Sequence, residues 1–242
     1  MRTAALLSTR TLTLTLTLTF VVVLLAAVGR AGTISGLVRA RGNEGAEPAS
    51  GGGKYDSRKY KFVERVDYAE LHEFVVYVVG PAGTNAARSA KPVQVVTTRR
   101  ITQQGAVFSP HLLPILVGTT VEWPNSDDIF HNVFSISEPK EFDLGLYKHP
   151  EIKRVTFDKL GRVDVFCSIH KAMNCIILVL ENPFFAATDA RGQYSIPQVP
   201  AGTYTLKAWH ERLPGQSLEV TVPADGEVRI DFTLAVANLP KY

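Results

Sequence analysis

The stretch Gly161-Arg-Val-Asp-Val-Phe-Cys167-Ser-Ile-His170-Lys-Ala-Met173-Asn-Cys175-Ile-Ile-Leu-Val-Leu180 decides how this chain is read. Val163, Val165 and Cys167 fall at every second position, the period of a strand, which puts the thiol at a strand end on its apolar face. Residues 175–180 form a second apolar run of strand length. Between the two runs a short loop carries a cysteine, a histidine and a methionine. The same alternation recurs on either side, at 33–38, 74–79, 93–97, 119–123, 154–157, 193–196, 203–208, 217–222 and 227–234. Turn signals such as Pro81-Ala-Gly83, Val117-Gly118, Ala190-Arg-Gly192, Pro200-Ala-Gly202 and Ala224-Asp-Gly226 separate these runs. Many short strands at this spacing predict an all-β chain of sandwiches or barrels. No helical period of any length appears; residues 66–72 are the best place for a turn or two of helix. Asn43 to Tyr60, with Gly51-Gly-Gly53 and interleaved bases, reads as a flexible loop.

The 242 residues, 45% hydrophobic and 20% charged, have the composition of a globular protein of one large or two small domains, which excludes collagen-like and wholly disordered chains. Two cysteines cannot build a disulfide framework. The formal charge of +3 is set by the N-terminus. Residues 1–31 combine Arg2 and Arg10 with an uncharged run from 11 to 28 and the small residues Gly29 and Ala31, the pattern of a secretory signal peptide cut after Ala31. The run is almost long enough to act as an uncleaved anchor, but five of its residues are threonine. Cleavage removes Arg2, Arg10 and Arg30 and no acid, taking 26 bases to 23 against 23 acids. A nucleic-acid partner thereby loses its electrostatic footprint. The expected location is the periplasm or another exported compartment, with no membrane span once the leader is cut.

The chemistry concentrates in two segments. Cys167, His170 and Met173 lie in one loop, and Asn125-Ser-Asp-Asp-Ile-Phe-His131-Asn132 follows the strand ending at Trp123, placing His131 in a partner loop. Two imidazoles, a thiolate and a thioether suit a trigonal His-His-Cys copper site with a weak axial methionine, because the sulfurs favour Cu(I) and the imidazoles accept Cu(II). Met173 is the one methionine besides the initiator. Zinc also takes Cys and His, but a thioether as fourth group argues against it. A Cys–His nucleophile would need an oxyanion-hole motif that the sequence lacks. A solvated histidine beside a chance Cys-x2-His is the remaining alternative. Cys175 either fills core or pairs with Cys167, which would abolish a metal site. His72, His111, His149 and His210 have no spacing to this set and read as surface or core residues.

Together with Phe108-Ser-Pro110, Val117-Gly-Thr-Thr-Val-Glu-Trp123, His131-Asn-Val and Gly161, the Cys167-x-x-His170-x-x-Met173 spacing resembles the cupredoxins, specifically the plastocyanin, pseudoazurin and amicyanin group, over residues 93–182. The two-residue gap from His170 to Met173 is amicyanin-like. His131-Asn-Val-Phe-Ser135 with Phe142-Asp-Leu-Gly145 is similar to periplasmic cupredoxin-like proteins grouped with methylamine utilisation. The resemblance implies a Greek-key β sandwich at 91–182 and one type 1 copper per chain. It implies ligation by His131, Cys167, His170 and Met173, with Asn132 hydrogen-bonding near the thiolate. It further implies single-electron transfer, not enzymatic turnover, with a redox partner protein docking on an apolar patch near His170. A copper carrier or store, or a β-sandwich binding module without metal, are the other classes.

Thr188-Asp-Ala-Arg-Gly192-Gln-Tyr194 followed by Pro200-Ala-Gly-Thr-Tyr204 resembles the carboxypeptidase regulatory-like, transthyretin-like β sandwich. That family's first strands resemble Ile34-Ser-Gly-Leu-Val38 and Val75-Val-Tyr-Val78, far upstream. The expected organisation is one sandwich formed by 32–90 and 183–242, interrupted by the copper-type domain at 91–182; a tandem arrangement is the alternative.

Overall fold

The computed structural model describes residues 31–42, 67–80 and 97–235. The leader up to residue 30, the Gly-rich loop at 43–60 and all but the last residue of the strand expected at 93–97 lie outside them. Two strands come first, β1 (Ala31–Arg41) and β2 (Val75–Val78). A 3-10 turn at Tyr68–Glu70, capped by the Asp67 carboxylate accepting from the Ala69 amide at 3.0 Å, is the one helical stretch among the described residues. Ten strands follow: β3 (Thr98–Arg100), β4 (Thr102–Gln103), β5 (Phe108–Ser109), β6 (Leu112–Leu116), β7 (Thr119–Pro124), β8 (His131–Ser137), β9 (Lys140–Tyr147), β10 (Ile152–Phe157), β11 (Gly161–Phe166) and β12 (Asn174–Leu180). The last six are β13 (Phe185–Ala187), β14 (Gln193–Pro200), β15 (Gly202–His210), β16 (Leu213–Val222), β17 (Glu227–Arg229) and β18 (Phe232–Ala235). The chain is all-β.

Pairing sorts these strands into two sandwiches. β1 lies between β14 and β17 and also pairs with β18, while β2 lies between β13 and β15, with β16 beyond. Their facing side chains, among them Ile34, Val76, Val78, Tyr194, Ile196, Leu206, Val220 and Phe232, form one core. The second sandwich sets the sheet β6-β12-β11-β8-β9 against β10-β7-β3, around Ile115, Val121, Trp123, Val133, Phe157, Val163, Val165 and Ile177. Each such buried aliphatic side chain contributes about 1.5–3 kcal/mol by leaving water.

The Thr-Asp-x-x-Gly-x-Tyr theme has a local cause. Asp189 Oδ1 accepts from the amides of Arg191 at 2.9 Å and Gln193 at 2.8 Å, which forces a tight turn. Gly192 takes φ +78° there, and a Cβ on it would sit 2.3 Å from the Val38 carbonyl oxygen. In the following Pro-x-Gly-x-Tyr theme, the Tyr204 hydroxyl donates back to the Pro200 carbonyl at 2.8 Å.

β12 explains its own unbroken hydrophobicity. Cys175, Ile177 and Val179 point into the second sandwich, whereas Ile176, Leu178 and Leu180 join Leu112, Val75, Tyr77, Phe185 and Trp209 in a separate cluster between the sandwiches. Alternate residues therefore serve two cores, and no face of the strand is left for polar residues. β12 therefore lies in a sheet with apolar clusters on both of its faces. The expected strand at 227–234 is instead split into β17 and β18. Both run parallel to β1, and the break comes where the Ile230 amide donates to the Ser35 carbonyl at 2.8 Å.

Candidate metal centre

β11 and β12 form an antiparallel hairpin with Phe166 opposite Asn174, so residues 167–173 are its connecting loop. The Cys167 amide donates to the Met173 carbonyl at 3.1 Å, and the Met173 amide to the His170 carbonyl at 2.9 Å. The first bond closes the loop at its base and the second tightens its return. Cys167 and Met173 are thereby turned into the second sandwich core, both buried, while His170 remains partly exposed.

His131 was expected in a loop; it is the first residue of β8 and is completely buried. The preceding turn is compact. Asn125 Oδ1 accepts from the Asp127 amide at 2.9 Å, and Asn125 Nδ2 donates to the Ile129 carbonyl at 2.9 Å and the Tyr147 carbonyl at 3.1 Å. This side chain completes the turn early, and the strand resumes at His131, opposite Tyr147.

Ligand-type atoms of His131, Cys167 and His170 lie within 4.8 Å of one another, the one such group of three among the described residues. The two Nδ1 atoms are 3.1 Å apart, and His170 Nδ1 is 3.7 Å from Cys167 Sγ. The Asn132 backbone amide donates to Sγ at 3.5 Å. The Asn132 side chain turns away, donating to Asp143 Oδ1 at 2.7 Å. A register shift in the β8–β9 ladder between Asn132 and Phe134 aims that backbone amide at the sulfur. Asp143 also accepts from the Gly145 amide at 2.8 Å, and this bond, with the one from Asn132, holds its carboxyl below the usual carboxylate range.

One participant has no role in the sequence reading. Asp127 Oδ2 lies 2.7 Å from His131 Nε2, and its oxygens accept from the Gly105 amide at 2.7 Å and the Ala106 amide at 3.0 Å. The Ala106 amide above all, then His131, keep the Asp127 carboxyl low. The signal was an acid four residues before the histidine, but among Asn, Ser and Asp it reads as turn chemistry.

Cys175 is a free thiol, as is Cys167, and burial pushes it far up. It lies opposite Val165 in the hairpin and fills core. His111 and His210 are not among the clustered donors: His111 Nδ1 lies 3.2 Å from the Asn174 carbonyl oxygen and its Nε2 3.3 Å from Glu211 Oε2, while His210 packs tilted against Phe74 with ring centres 4.9 Å apart.

The donor set fits a copper ion. A cysteine sulfur and two imidazoles converge beside an apolar core, with the sole described thioether buried in the same cluster.

No curated protein matches the chain. Among solved structures it is similar to a Cu-containing nitrite reductase from Thermus scotoductus SA-01, at 33% identity and TM-score 0.34, over 39% of this chain and 24% of that one, so it spans about a quarter of that protein's length. It is similar to a purple cupredoxin from Nitrosopumilus maritimus at 29% identity and TM-score 0.31, over 34% of this chain and 99% of the other. An amicyanin variant in its Cu(I) form matches at 21% identity and TM-score 0.33, over 34% and 82%. The carboxypeptidase regulatory-like domain family matches residues 179–235, the segment carrying the Gly192 turn and the Tyr204 hydroxyl bond. Residues 179–235 are thus similar to that domain family, and β1 and β2 from the start of the described chain pair with strands of this segment.

Proposed function

We propose that this chain is an exported copper protein that binds one copper ion through His131, Cys167, His170 and Met173 and carries single electrons without catalysing a reaction of its own. The observation carrying this reading is the convergence within 4.8 Å of the donor atoms of His131, at the start of β8, with those of Cys167 and His170 on a hairpin loop that also bears Met173. Bound copper would supply reversible one-electron exchange between Cu(II) and Cu(I). The chain's own residues do the rest. Cys167 supplies a thiolate, steadied by the Asn132 amide; His131 and His170 supply neutral imidazoles; Met173 brings a weak thioether from the core side. The apolar residues around them exclude water and limit rearrangement.

Ile129, Phe130 and Ile169, large and half exposed, flank His131 and His170 in sequence. They would offer apolar side chains to a redox protein docking beside the partly exposed His170. The basic, apolar, small-residue leader supports export, and no helix among the described residues is long and apolar enough to cross a membrane.

Titrating the chain with Cu(II) tests the reading. An intense visible thiolate-to-copper band is expected, and it should vanish in Cys167→Ser; no band, or one that survives the substitution, overturns it. A copper carrier would use the same donors, and reversible voltammetry on the loaded chain separates a carrier of electrons from a carrier of copper.

A further inference from the structure

The turn between β4 and β5 is built at a conformational cost. Gly105 and Ala106 both have positive φ, +64° and +56°, and Gln104 and Val107 exchange amide-to-carbonyl bonds of 3.1 and 3.3 Å across them. Left-handed backbone costs a residue with a Cβ about 1–2 kcal/mol, and it persists where surrounding contacts over-determine it. Here the consecutive Gly105 and Ala106 amides form a small anion-binding nest, and the Asp127 carboxylate occupies it. The Asp127 amide is tied to Asn125, and the Ser126 amide donates to the Gln103 carbonyl at 2.8 Å, which locks the two turns together.

Two backbone N–H groups, of Gly105 and Ala106, and His131 Nε2 thus converge on two oxygens. Neither backbone amide can accept. An amide in place of the carboxylate would set its NH2 against at least one donor. Because His131 is completely buried and its Nε2 faces an anion at 2.7 Å, its ring proton is held on Nε2, and the Nδ1 lone pair faces Cys167 and His170.

We infer that Asp127 is the positioning residue of this centre: it fixes His131 in the Nε2–H tautomer and, as an anion, makes Nδ1 a stronger donor that favours Cu(II) over Cu(I). The inference rests on the copper reading for its second half only. A carboxylate on the outer nitrogen of a ligating imidazole raises ligand basicity, and its loss typically costs about 10–100-fold in metal affinity. The preference falls on the more highly charged ion, so the effect differs between the two oxidation states.

Two measurements on the full chain test this. In the metal-free protein with 15N-labelled histidine, kept alkaline enough for neutral imidazoles, NMR should report His131 as the Nε2–H tautomer; an Nδ1–H ring overturns the inference with no variant needed. In copper-loaded Asp127→Asn and Asp127→Ala, the ratio of Cu(II) to Cu(I) affinity should fall by about tenfold, a rise of about 59 mV in potential for one electron. Equal weakening of both oxidation states, with the potential unmoved, would make Asp127 merely structural and overturn it. If the chain takes up no copper, the proposed function fails, while the tautomer still decides the positioning role.

Discussion

The Cys167 amide donates to the Met173 carbonyl at 3.1 Å, so the first and last sulfur residues of the ligand-bearing loop are joined through their backbones. The β11–β12 hairpin thereby sets the loop's span.

Met173 is 1% exposed, and Leu replaces Met in a core at under about 1.5 kcal/mol because volume is conserved. Met173→Leu should leave thermal stability nearly unchanged and retain the visible band, while raising the reduction potential by removing the thioether that Met173 would offer to bound copper. Voltammetry beside a melting curve checks this; an unchanged potential would remove Met173 from the centre.

The seam between the sandwiches should make them unfold together. Leu178 and Trp209 pack in one cluster drawn from both. Leu178→Ala should cost about 2–5 kcal/mol through the cavity left behind, and calorimetry should show one transition in the parent chain. Two well-separated transitions in the parent would contradict the coupling.

Acid should loosen the same region through His210. Burial, foremost, holds this imidazole below its usual value, against raising influences from Glu211 and a hydrogen bond to the His72 backbone and with lesser lowering ones from Arg212 and His111. The folded state thus resists a proton that the unfolded chain accepts near pH ~6.5. Its contribution is neutral above that pH, and stability is lost as pH falls through ~6.5 toward the folded value, by at most about 1.4 kcal/mol per pH unit. His210→Gln should flatten the fall in melting temperature between neutrality and mild acid; an identical slope in both proteins would exclude His210 as its source.

Gly36 lies on β1 where a Cβ would be 1.7 Å from the Ile230 carbonyl oxygen. Gly36→Ala must push apart β1 and the β17–β18 junction, at about 1–3 kcal/mol for an overpacked site. A denaturant midpoint unchanged from the parent would show that the junction yields freely.

Much of this architecture is legible in the sequence wherever a strand has one wet face or none. β1, β7, β11, β12 and β14–β16 follow apolar runs that the sequence displays openly. β3, β4 and β5 have two or three residues each, too few to show a period. β9 was hidden because Gly145 at φ +67° and charged neighbours interrupt the alternation of Phe142, Leu144 and Leu146. At the centre, Cys167, His170 and Met173 were legible from spacing, since a seven-residue hairpin loop leaves them nowhere else to go. The place of Asp127 was not, because the nest it fills is made by backbone amides of a turn over twenty residues upstream.

β12, with both faces buried, has a consequence for how this chain could be cut. A fragment ending at residue 180 would keep every candidate copper donor, yet it would present Ile176, Leu178, Leu180 and Leu112 as a bare greasy stripe. Such a surface invites self-association. The ligand-bearing sandwich is therefore not a portable cassette: its solubility resides in a partner sheet encoded on both sides of it, and grafting it into another scaffold would require repainting β12 with polar residues first.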